Sequence, residues 1–149
     1  MESVLLLPCQ EPQRMNVLFY AIEDLPGERL QRVIEAIIPS ENIERCRNIE
    51  SLALRLRQPL TDPAVAVLLA SNPHELIEIM PFRELLRDFR IILILPDRDP
   101  ATVAMGHLLR PRFLGHIDGE YLDIAAVLIK MIVKLNNTED EARSISDWR

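Results

Sequence analysis

Two cysteines, four glycines and one tryptophan stand in a chain of 149 residues, and aromatic residues make up 5% of it. Cys9 and Cys46 lie far apart, in no Cys-x-x-Cys or Cys/His spacing. Neither a disulfide framework nor a zinc site is expected; two free thiols in a reducing cytoplasm fit better. Gly27, Gly106, Gly115 and Gly119 form no phosphate-cradling loop. Where a dinucleotide site would need glycines, Ile22-Glu23-Asp24 offers acids that repel phosphate. Ser51 and Ser71 lie in no nucleophile-elbow pattern. Positive charge is scarce: 17 basic residues face 23 acidic ones, a net charge of −6, so no general attraction to nucleic acid is expected. Long apolar runs are missing as well. Residues 4–7 are too short for a signal-peptide core and have no basic start. No run reaches the roughly 18 apolar residues of a membrane span, because Asp123 and Lys130 interrupt the longest. A cytoplasmic protein without membrane contact is expected.

What is present is the material of one globular domain. Hydrophobic residues are 48% and charged residues 27%, and the length suits a single core. Residues 1–14 read as an N-terminal arm, with a short apolar run that would prefer cover, and 136–149 as a polar C-terminal tail. Between them strands and helices alternate. Residues 17–22 are rich in strand formers, and Asp24, Pro26 and Gly27 then punctuate the chain. A helix over 28–38 places Leu30, Val33, Ile34, Ile37 and Ile38 on one stripe. Residues 43–46 fit an edge strand. Asn48 then caps a helix with Ile49, Leu52, Ala53 and Leu56 inward. The continuously apolar runs 64–70 and 91–95 read as strands buried on both faces of a parallel sheet. Asn72, Pro73 and Glu75 make a helix start with cap, first-turn proline and an acid at the third position; Pro81 should divide that helix. Asp99-Pro100 starts a short helix over 101–109, a strand follows at 112–117, and Asp118 is expected to cap a last helix to about Leu135. Five strands alternating with five helices give a (βα)5 α/β domain. Right-handed crossovers make it a doubly wound parallel five-stranded sheet.

Several groups stand where the strands end, the rim at which open α/β sheets bind ligands. Glu23, Asp24, Asp97, Asp99 and Asp118 all fall there, and Glu23 and Asp24 are the candidate pair for a magnesium or other divalent ion. Helix capping explains Asp24, Asp99 and Asp118 without any ion. His116 beside this rim could join a metal or act as a base; a satisfied or exposed histidine explains it better. Arg83, Arg87 and Arg90, with Arg110 and Arg112 around Pro111, can make a basic edge, balanced by Glu84 and Asp88. The last helix is apolar nearly all round. A helix lying on a sheet needs one apolar stripe, so Leu122, Ala126, Ile129 and Val133 are the candidate contact face for the arm at 4–7 or for another subunit.

The order and spacing of these elements, and the stretch Val17-Leu18-Phe19-Tyr20-Ala21-Ile22-Glu23-Asp24-Leu25-Pro26 with its closing acids, resemble the receiver domain of response regulators over residues 15–135. The resemblance implies a flavodoxin-like fold and a place in two-component signal transduction. It also implies phosphoryl chemistry whose parts are missing here. The receiver's third strand ends in a phosphoacceptor aspartate; this one ends Leu68-Leu69-Ala70-Ser71-Asn72. The hydroxyl expected after the fourth strand is replaced by Pro96, and His116 stands near the expected lysine. The expectation is therefore a pseudo-receiver, not an enzyme. It would need no cofactor beyond a weak magnesium possibility, and would act by binding a protein partner or forming a homodimer through the last helix and fifth strand. The alternative is a sensor that binds a small ligand or divalent metal at the acidic rim. A hydrolase or transferase ranks last, for want of a nucleophile–base pair.

Overall fold

The structure, a computed structural model, describes residues 17–60 and 63–147, with side chains described as far as Leu135. The expected arm at 1–14 lies outside the described residues, as do the side chains of the expected tail. Five strands form one parallel sheet: β1 (Val17–Tyr20), β2 (Ile43–Cys46), β3 (Val65–Leu69), β4 (Arg90–Leu95) and β5 (Phe113–His116), in the order β2-β1-β3-β4-β5. Between and after them run α1 (Leu25–Glu35), α2 (Ile49–Leu56), α3 (Pro73–Ile79), the single turn α4 (Arg83–Leu86), α5 (Pro100–His107) and α6 (Tyr121–Asp147). The doubly wound (βα)5 fold read from the alternating pattern is the fold found.

Strand pleating feeds two cores. Leu18, Tyr20, Ala66, Leu68, Leu93 and Leu95 point to one face, where they meet Leu52, Leu56, Leu76, Ile79 and Leu86. Val17, Phe19, Val65, Val67, Ile92 and Ile94 point to the other, against Leu30 and Ile34 of α1 and Ile124 and Leu128 of α6. Right-handed crossovers put α1 and α6 on one side and α2 to α5 on the other. The central strands are buried on both faces, which is why their sequences are apolar without alternation.

The caps hold where short polar side chains precede a helix. Asp24, Asn48 and Asn72 each accept a backbone N–H three residues on, from Gly27 at 2.9 Å, Ser51 at 2.8 Å and Glu75 at 3.0 Å. Pro81 does divide the third helical segment, through a 3-10 turn at Met80–Phe82. Several boundaries differ from expectation. β1 stops at Tyr20, and α1 starts at Leu25 instead of Glu28, because Asp24 is the cap and Pro26 suits the first turn. Asp118 caps nothing: a turn closed by Gly119 N–H donating to His116 O, 2.9 Å, delays α6 to Tyr121. At its other end α6 continues past Leu135 to Asp147, since the segment 136–147 holds neither proline nor glycine to stop it.

Gly27 sits in the tight passage from β1 into α1. A Cβ there would lie 2.6 Å from Ile22 O, a backbone atom that cannot step aside. Gly27→Ala should therefore destabilise the domain by about 1–3 kcal/mol, measured by urea unfolding; unchanged stability would show that the β1–α1 loop relaxes freely.

Candidate functional site

The loops after β1, β3, β4 and β5 meet at the carboxyl end of the sheet, and their groups can be placed one by one. Glu23 is exposed and lies 3.6 Å from Arg47 Nε. Asp24 turns an oxygen back to the Gly27 N–H. Beneath this loop Arg45 of β2 stacks over the Phe19 ring at 4.8 Å and donates to Ala21 O at 2.9 Å, to Ile22 O at 3.3 Å and to Gln31 Oε1. Those bonds fix the two carbonyls that lead into the acidic pair. Asp97 Oδ1 accepts from Asp99 N at 3.0 Å, and Asp99 Oδ1 from Ala101 N at 3.2 Å. Arg98 bridges two loops: it donates to Asp118 Oδ1 at 2.9 Å and lies 3.4 Å from His116 Nδ1. A cleft of about 170 Å³ opens beside this bridge, walled by Arg98, His116, Glu120 and Asp123.

Each acid read at the rim thus has a partner: a backbone N–H for Asp24, Asp97 and Asp99, an arginine for Glu23 and Asp118. Among the described residues no three histidine, cysteine or acidic side chains gather as metal ligands would. Ala70, the first residue past β3, is fully buried, its N–H donating to Ile94 O at 3.0 Å. Ser71 Oγ and His116 Nε2 are buried with no hydrogen-bond partner among the described residues. They follow β3 and end β5, with β4 between, so roughly 9–10 Å of sheet separates them and no nucleophile–base contact forms.

One polar contact under the rim escaped the sequence reading. Glu75 stands in the first turn of α3 as its third-position acid, as expected, and its side chain also turns inward to accept the Tyr20 hydroxyl at 3.3 Å. Glu75 is 8% exposed and Tyr20 1%. Burial, and then the negative charge of Glu75, push the Tyr20 hydroxyl far above its ordinary value. Burial also raises the Glu75 carboxyl, against the pull of the Tyr20 hydrogen bond. The available signal was Tyr20 itself: a tyrosine in an otherwise apolar strand must find a partner for its hydroxyl. Cys46, on the same side of the sheet, is a buried thiol pushed up to about 11, again by burial.

The four residues of the candidate contact face lie on the outer side of α6. Leu122, Ile129 and Val133 are 74%, 46% and 51% exposed, and Ala126 is exposed between them, while Ile124, Leu128 and Leu135 of the same helix are buried. β5 beside it is the edge strand and is half-buried throughout.

Among solved structures, the chain is similar to the signal receiver domain of the response regulator NarL from Mycobacterium tuberculosis. The TM-score is 0.55 at 17% identity, covering 81% of this chain and 98% of that one. The fold is a receiver fold. No family model matches the chain, and no curated protein matches it by sequence. In this receiver fold Ala70 follows the third strand, Pro96 the fourth, and His116 closes the fifth. No helix among the described residues is long and apolar enough to cross a membrane.

Glu75 gives a pH test. Its carboxyl ionises less readily folded than unfolded, so the fold gains where the group is protonated. That gain fades as pH rises from the unfolded-state value, roughly 4.3, through the raised folded one. Glu75→Gln keeps an acceptor for Tyr20 and removes the slope, so its Tm relative to the wild type should rise between acid and neutral pH. Tyr20→Phe should cost about 1–3 kcal/mol by leaving the carboxylate buried alone. A Glu75→Gln protein that loses ground as pH rises would contradict this reading.

Proposed function

We propose that this receiver-fold domain works without phosphorylation, as a signalling module that pairs with a second copy through the outer face of α6 and the edge strand β5. The observation that carries the reading is the second apolar stripe on α6. Ile124, Leu128 and Leu135 already cover the sheet, yet Leu122, Ala126, Ile129 and Val133 repeat along the opposite face. Apolar groups aligned in that way favour a partner surface, and the small Ala126 lets another helix approach closely. An apolar stripe of this kind can meet its own copy across a two-fold axis. Independence from phosphorylation is supported by Ala70, Pro96 and His116 at the positions where receiver chemistry needs a carboxylate, a hydroxyl and a lysine. Glu23 and Asp24 remain the pair on which a divalent-ion sensor would rest. Contact is preferred to sensing because Asp24 Oδ1 already caps α1 and Glu23 leans to Arg47.

Light scattering coupled to size exclusion tests the pairing. The full chain should show a mass that rises with concentration toward twice the monomer. Ile129→Asp, at a half-exposed position, should change monomer stability by less than about 1 kcal/mol and abolish the rise. A wild type that stays strictly monomeric over a wide concentration range removes the pairing claim.

A further inference from the structure

We propose that a groove at the opposite end of the sheet from the rim binds an acidic segment of a partner protein through arginine side chains and an apolar floor. The groove, about 610 Å³, lies where β4 begins, between the ends of α4 and α5. Phe89, Ile91 and Leu109 form its floor, and Arg83, Arg87 and Arg110 stand around it. Leu108 at its lip is 62% exposed. Three guanidiniums against the single acid Glu84 make this a positive site in a chain of net charge −6. Their existing contacts are weak. Among the described residues, Arg87 reaches Glu84 at 3.4 Å with both side chains exposed, Arg83 reaches only Met80 O at 3.4 Å, and Arg110 has no ion pair.

Arg110 carries the second observation. It has φ 54°, the one positive φ outside glycine among the described residues. A left-handed residue just past a helix is normally glycine, and Pro111 next in sequence pushes its predecessor toward extended backbone. Arginine therefore sits where backbone preference is against it twice, and its side chain lines the groove. Neutralising the carboxyl end of α5 explains a positive charge there but not an unfavourable φ. Guanidiniums select carboxylates by paired hydrogen bonds. The apolar floor and the volume, in the range of organic ligand sites, suit a peptide with an apolar anchor better than a free inorganic anion.

Fluorescence anisotropy on the full chain tests this, with a labelled peptide of alternating glutamate and leucine as the probe. Binding should saturate, weaken with added salt, and fall about tenfold or more in Arg83→Glu/Arg87→Glu, whose circular dichroism should match the wild type. Arg110→Gly should raise Tm by about 2–4 °C and still weaken the peptide. Ile129→Asp should bind the peptide normally, which separates this surface from the pairing face. Absence of saturable binding, or full binding by the charge-reversed or Arg110→Gly proteins, overturns the proposal. So does inorganic pyrophosphate binding as tightly as the peptide, since the floor would then contribute nothing.

Discussion

Burial of both faces of the parallel sheet is the constraint from which the rest of the molecule follows. Every residue of β3, and residues 91–95 of β4, are out of solvent, each large side chain contributing roughly 1.5–3 kcal/mol to the fold. Strands so placed leave little room for polar groups along their length. Tyr20 is the exception, and it is tolerated because Glu75 comes inward to meet its hydroxyl. Most of the charged groups are pushed to the ends of the strands and the outer faces of the helices.

At the carboxyl end the polar side chains build the loops themselves. Asp24 and Asp99 start helices, Arg45 ties β2 to the carbonyls after β1, and Arg98 ties the β4 loop to the β5 loop through Asp118. With its rim so engaged, and with alanine past its third strand, this receiver fold is the basis for the proposal that information passes through surfaces. Two surfaces stand out, and they differ in kind. The α6 stripe is apolar and exposed; the groove beneath β4 is basic with an apolar floor. They lie on different elements, so the proposed pairing and the proposed acidic partner do not compete for one surface.

The fold was legible because its strongest elements obey one rule each. Runs 64–70 and 91–95 are apolar without alternation, and Asn48 and Asn72 sit one residue before their helices. Leu122, Ala126, Ile129 and Val133 follow the helical period, so their common exposed face could be read before the structure. Less legible were features that depend on partners distant in sequence. Asp118 was read as a cap because it precedes an apolar helix, but Arg98, twenty residues earlier, holds its carboxylate. Glu75 is the first-turn acid that the pattern suggests, but the sequence does not show that a tyrosine 55 residues away also claims its side chain. The basic groove was visible in sequence as scattered arginines near Pro111. Only the folded chain brings Arg83 and Arg87 to Arg110.

The central claim is that this receiver fold signals by surface contact and not by accepting a phosphoryl group. Amide NMR spectra of the full chain with magnesium and beryllofluoride, a phosphoryl mimic, test it most directly. The account predicts no saturable shifts at Glu23, Asp24, Ala70, Ser71 or His116. Saturable shifts gathered on those residues, carried on to α6, would contradict it.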